Sequence, residues 1–123
     1  MKDFYTNILG LEFVSEENDR SVFLKAGQNM LLIFNPNRTL VSSENSATIH
    51  FPTHGAFTPQ SIVHFALEID KEHYDNAKHI LNEKNIKIEK EITWVKGNSI
   101  YFRDPAGNLV EIITPGCWPV DNV

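Results

Sequence analysis

The sequence predicts an α+β fold made of two related halves, the second reading β-α-β-β-β and the first α-β-β-β, without its opening strand. Three observations carry this reading. Short apolar runs with period-two alternation lie between turn residues in both halves. One amphipathic helical stretch directly follows the strand at 61–69. The segments 8–13 and 80–88 occupy equivalent places, each closing a helix and opening a strand.

Taken in order, Phe4, Tyr5, Ile8 and Leu9 follow helical spacing, and Gly10 supplies the stop. Three strands are expected next: 11–15, then 21–25 after the polar turn Glu17-Asn18-Asp19, then 30–34 after Ala26-Gly27-Gln28-Asn29 and ending at Pro36. The polar stretch 37–60, with Pro52 and Pro59, reads as a linker loop whose length marks it as functional or mobile. Residues 61–69 form a strand. Asp70 is expected to cap a helix running to about Lys84, with Tyr74, Ala77, Ile80 and Leu81 on one face and Asn85 at its end. Residues 86–94 alternate as a strand. Ser99 to Arg103 and Leu109 to Thr114 form a hairpin, with Asp104-Pro105-Ala106-Gly107 as a strong turn signal. The organisation is thus one domain over 1–123: an incomplete first module (1–36), the linker (37–60), a complete second module (61–114) and a tail (115–123).

A chain of 123 residues suits a single core, and its 41% hydrophobic and 22% charged content is ordinary for a globular protein. The net charge of −5 and the scattered lysines argue against a nucleic-acid partner. No apolar run is long enough to span a bilayer, and no signal peptide is visible before Phe4. The single cysteine, Cys117, excludes an intrachain disulfide framework, so a reducing cytoplasm is the expected location. With no basic partner beside it in sequence, Cys117 reads as an ordinary thiol.

The chemistry is expected at two strand-borne polar groups. His64 lies within 61–69 and Glu111 within 108–113, each inside an otherwise apolar strand. Such a group is costly to bury unless it is paired or binds a metal. Alternation puts Ile62, His64, Ala66 and Glu68 on one face, and Val63, Phe65, Leu67 and Ile69 on the face suited to the helix. If Asp104 pairs with Asn108, Tyr101 lies opposite Glu111 and shares its face. A face with His, Glu, Tyr and a small Ala66 suits a pocket lining. The competing explanation is a His–Glu hydrogen bond that only supports the fold. His54, Phe57, Trp94 and Arg103 are candidates for substrate contacts, with ordinary packing or surface pairing as the alternative for each. His73 and His79 are read as surface residues of the helix.

This combination resembles the vicinal oxygen chelate superfamily, which includes glyoxalase I, bleomycin-resistance proteins and extradiol dioxygenases. The residues that carry the match are 3–13, Val63-His64-Phe65-Ala66-Leu67 and, most specifically, Ser99 to Ile112 with its Arg103-Asp104-Pro105-Ala106-Gly107-Asn108 turn. The resemblance implies paired βαβββ modules, each sheet curling around an open cavity for a metal and a substrate. It implies His64 and Glu111 as ligands of a divalent metal (Fe, Mn, Zn or Ni). The corresponding carboxylate of module one would fall near Leu31 or Leu32, neither of which binds a metal, and this argues against a four-ligand glyoxalase I site. If a strand carrying a His precedes Met1, that His would complete a facial set suited to Fe(II) or Mn(II); if the chain starts at Met1, His50, His54 or Glu68 could complete the site instead. The implied activity is that of a metal-dependent dioxygenase or lyase/isomerase acting on a small molecule with vicinal oxygens, with Tyr101 orienting a ligand or the substrate. The alternative is a non-catalytic binding protein of the resistance type. A homodimer is expected, with strand exchange as one route to it.

Overall fold

The structure is a computed structural model that describes residues 1–39 and 63–117. The chain divides into two compact units, Met1–Ser61 and Ile62–Val123. The architecture is α+β, with one antiparallel and one mixed sheet and few helices. No helix among the described residues is long and apolar enough to cross a membrane.

The first unit opens with a π-helical turn, Phe4–Ile8, rather than the end of a regular helix. Its wide repeat is closed by Leu9 N–H donating to Phe4 O, and Gly10 at φ 74° turns the chain out of it. Phe4 and Tyr5 are buried and meet edge to face at 5.2 Å. Strands β1 (Glu12–Glu17), β2 (Ser21–Ala26) and β3 (Asn29–Phe34) then form an antiparallel sheet in the order β1-β2-β3. A bulge between Phe13 and Ser15 interrupts the β1–β2 register. The linker region begins with a short helix, α1 (Pro36–Thr39), which the sequence reading did not anticipate. Its start is visible in retrospect: Asn35 Oδ1 accepts from Asn37 N–H at 3.1 Å, and Pro36 needs no amide partner. Buried Arg20 donates to Arg38 O at 3.0 Å and so fastens this helix to the β1–β2 turn.

The second unit is the complete βαβββ module. Strands β4 (His64–Glu68), β5 (Lys90–Trp94), β6 (Gly97–Arg103) and β7 (Leu109–Ile113) assemble in the order β4-β7-β6-β5. The β4–β7 pair is parallel and the other two are antiparallel. Between β4 and β5 lie a 3₁₀ turn (Lys71–His73) and helix α2 (Tyr74–Glu83). The helix therefore starts one turn later than expected, and Asp70 makes no side-chain capping bond. Its far end is a Schellman motif. Asn85 takes φ 59°, its N–H donates to Asn82 O, and Ile86 N–H folds back onto Leu81 O at 2.8 Å. That fold-back explains why β5 begins at Lys90 and not at Ile86 as the alternation suggested.

Helix α2 covers the sheet face that carries Ile100, Phe102, Val110 and Ile112, all buried. It is pinned at its edge through Glu91, whose carboxylate accepts from Tyr74 Oη at 3.1 Å and from Lys78 Nζ at 2.9–3.0 Å. The Lys78 contact, aided by the Tyr74 hydroxyl, holds the Glu91 carboxyl below its ordinary value. Burial, with the Glu91 carboxylate beside it, pushes the Tyr74 hydroxyl up. Val63 was expected on the helix face, but it precedes the strand and is exposed.

The β6–β7 turn is organised by one side chain. Asp104 is buried; its Oδ1 accepts from Ala106 N–H at 3.0 Å and Asn108 N–H at 2.9 Å, and its Oδ2 accepts from Asn108 Nδ2 at 3.0 Å. The expected Asp104–Asn108 pairing is present, with Asp104 N–H donating to Asn108 O. Gly107 at φ 87° closes the turn in a conformation that side chains rarely adopt. Asn108 in turn accepts from Val63 N–H through Oδ1 at 3.2 Å, which connects the turn to the start of β4.

Two outcomes follow from this arrangement. Asp104→Ala strands three donors and should cost about 3 kcal/mol in urea unfolding; a loss below about 1 kcal/mol would show that the turn holds without the carboxylate. Glu91→Gln should lower stability at pH 7 by about 0.5–1 kcal/mol, since solvent screens the half-exposed pair. Because the folded-state pKa of Glu91 is depressed, its contribution is present above the ordinary value of 4.5 and fades as pH falls through the folded value. The gap between wild type and variant should therefore close in acid, and a gap that widens there would contradict the assignment.

Candidate functional site

The two antiparallel registers and the parallel one bring the expected residues into one row across the second sheet. Lys90 on β5 lies opposite Tyr101 on β6, Tyr101 opposite Glu111 on β7, and Glu111 opposite Ala66 on β4. His64 is two residues before Ala66 on the same face, the face turned away from α2. The site is thus built on strands, with the helix supporting the sheet from behind.

His64 and Glu111 meet directly: Nε2 lies 3.1 Å from Glu111 Oε1. The two side chains differ in setting. The Glu111 side chain is 5% exposed and that of His64 is 51% exposed. Glu111 Oε2 is buried and has no hydrogen-bond partner, alone in this among the described side chains. A buried carboxylate oxygen without a donor is costly, and such an atom calls for a functional explanation. The Tyr101 ring lies 5.8 Å from the His64 ring at a 52° tilt. Burial and the neighbouring Glu111 carboxylate raise the Tyr101 pKa, so its hydroxyl stays protonated and able to donate at neutral pH.

Other candidates are placed less centrally. Trp94 is on the same face by register, 39% exposed, and its Nε1–H donates to Ser99 Oγ at 2.8 Å. Arg103 is exposed and already engaged, with Nε donating to Glu89 Oε1 at 3.1 Å and one terminal nitrogen donating to Gly107 O at 3.2 Å. His54 and Phe57 lie outside the described residues. Ser99, fully buried beneath Trp94, was missed in the sequence; alternation from Tyr101 would have found it. Cys117 is a free, half-buried thiol whose Sγ lies 4.0 Å from Thr114 Oγ1. Asp70, Glu72 and His73 also bring ligand atoms within 4.8 Å of one another, but all three are exposed at the start of the 3₁₀ turn.

In the first unit the register separates the two leucines. Leu31 lies opposite buried Leu24, whereas Leu32 lies opposite Phe23 on the other face and is 46% exposed. Phe34 and Met30 share the face of Leu32, and Phe23 meets Phe34 edge to face at 6.1 Å. This face therefore carries apolar side chains.

These elements and their order match a known family. Residues 1–112 match the Glyoxalase/Bleomycin resistance protein/Dioxygenase superfamily, and the chain belongs to it. Among solved structures, it is similar to a lactoylglutathione lyase from Agrobacterium tumefaciens, with 33% identity over 98% of this chain and 86% of that one and a TM-score of 0.82. It is also similar in fold to the fosfomycin resistance protein FosX from Mesorhizobium loti, with 17% identity, 94% and 80% coverage and a TM-score of 0.61. A glyoxalase/dioxygenase from Nostoc punctiforme gives 21% identity, 92% and 80% coverage and a TM-score of 0.63. A comparison with curated proteins gives no match.

The family implies a divalent metal, and the donors present fit one: an imidazole nitrogen beside a carboxylate with an unclaimed buried oxygen. If that oxygen is kept for a ligand, it is a burden to the metal-free fold. Glu111→Met, close in shape and apolar, should then raise the unfolding midpoint of the metal-free protein, by about 1 kcal/mol in stability. Destabilisation instead would mark the His64–Glu111 contact as a support of the fold.

Proposed function

We propose that this protein is a divalent-metal-dependent enzyme of the lyase/isomerase type, acting on a small organic molecule with vicinal oxygens. The observation that carries the reading is the buried, unpartnered Oε2 of Glu111 beside Nε2 of His64 on an open strand face. His64 and Glu111 would hold the metal, which when bound supplies Lewis-acid polarisation of the substrate oxygens. The rest falls to the chain itself. The Tyr101 hydroxyl, kept protonated by burial and by Glu111, donates a hydrogen bond to a substrate oxygen. Trp94, fixed through Ser99, bounds the face and limits water access. Small Ala66 leaves room beside Glu111 for the substrate.

Lyase/isomerase chemistry is preferred to dioxygenase chemistry because the lactoylglutathione lyase exceeds 30% identity along nearly the whole chain. The apolar position Leu32 argues that module one adds no carboxylate, so the metal set differs from a four-ligand one. The reading includes a homodimer, since the outer edge of β3 has no strand partner among the described residues.

The test is metal content of the purified protein by elemental analysis, followed by turnover of S-lactoylglutathione with Mn, Fe, Zn or Ni restored. Stoichiometric metal is expected in the wild type and its loss in His64→Ala and in Glu111→Met. Metal at 100 times its dissociation constant should add about 2.7 kcal/mol to stability. Tight ligand binding with neither metal nor turnover would replace this reading with that of a non-catalytic binding protein.

A further inference from the structure

We propose that Lys90 forms an anion subsite beside the His64–Glu111 pair, so that the substrate is a vicinal-oxygen compound with a phosphate or carboxylate tail. The inference deepens the function proposed above and rests on it. Three observations lead to it. First, the register places Lys90 at the end of the row that runs through Tyr101 to Glu111. Second, both neighbouring carboxylates are already paired elsewhere: Glu89 with Arg103, and Glu91 with Lys78 on the helix side, where it also accepts from Tyr74. Third, Lys90 is exposed and has no ion pair or hydrogen bond among the described residues. A cation with no ion pair among the described residues therefore sits on the same face as the buried carboxylate.

Distance and charge point the same way. Strands lie about 4.8 Å apart, so β5 and β7 are separated by roughly 10 Å. Lys90 makes no ion pair with Glu111 in the structure, and its stem is long enough to stand above Tyr101. A ligand held at Glu111 and extending two or three bonds along the row would bring its tail under the ammonium. A divalent ion with one carboxylate and one neutral imidazole keeps a net positive charge, and Lys90 adds to it. Such a face selects anions over neutral analogues.

Dihydroxyacetone phosphate and dihydroxyacetone make the test, because they share vicinal oxygens and differ in the anionic tail. Binding is measured by calorimetry with wild type, Lys90→Gln, Lys90→Arg and Lys96→Gln, the last an exposed lysine in the β5–β6 turn. Metal content is determined on the same samples. The wild type should bind the phosphate about tenfold or more tightly than the neutral compound. Lys90→Arg and Lys96→Gln should keep that preference and Lys90→Gln should lose most of it, with metal content unchanged. An unaltered preference in Lys90→Gln, or no preference in the wild type, would overturn the proposal and leave Lys90 as a charge that protects an edge strand. Failure of the metal-site reading would show separately, as absent metal.

Discussion

The site depends on the Asp104 carboxylate. Inside a tight turn it binds two backbone N–H groups and the Asn108 amide. These contacts fix which residue of β6 faces which residue of β7, and they place Tyr101 against Glu111. Through Asn108 the same turn reaches Val63 and sets the parallel register of β4, which brings His64 to Glu111. A slip by one residue would send each side chain to the opposite face and dismantle the row. A turn side chain thus decides whether His64, Glu111 and Tyr101 share one row. Helix α2 contributes from behind, through apolar burial and the Tyr74–Glu91–Lys78 contacts that pin its edge.

The two sheets have diverged in the character of their open faces. In the second, a buried carboxylate, an imidazole and a phenol share a face. In the first, Phe23, Met30, Leu32 and Phe34 occupy the corresponding alternation. Sheets of similar strand order therefore carry different chemistry because substitution on one side of a strand leaves the packed side unaltered. Leu24 keeps its buried position and Leu31 its half-buried one opposite it, whatever stands at residue 32.

Much of this was legible in the sequence because the strongest signals are local. The Asp104–Gly107 turn has one residue for each conformational need, and strict alternation on both sides carried the Tyr101–Glu111 pairing out to the site. The His64 position was legible as a polar group in an apolar strand. The contact of Val63 with Asn108, 45 positions away in the chain, had no local trace. The late start of β5 was hidden because Ile86 and Ile88 keep a strand-like alternation while the Schellman motif at Asn85 draws Ile86 back to the helix. Lys90 could not be placed until the β5–β6 register was known, since its own neighbours Glu89 and Glu91 make it look like part of a solvated charge run. The short helix at Pro36–Thr39 was obscured by the polar composition of the region that it opens.

The β3 strand has a consequence of a different kind. Its residues, Asn29-Met30-Leu31-Leu32-Ile33-Phe34, contain no charge and no proline, and no strand covers its outer edge among the described residues. Uncharged, strongly β-forming six-residue segments of this type are the seeds of cross-β stacking. Exposure of that edge is therefore an association hazard separate from the protein's global stability. The open β3 edge and the His64–Glu111 face lie in opposite halves of the chain, so that one can fail while the other is intact.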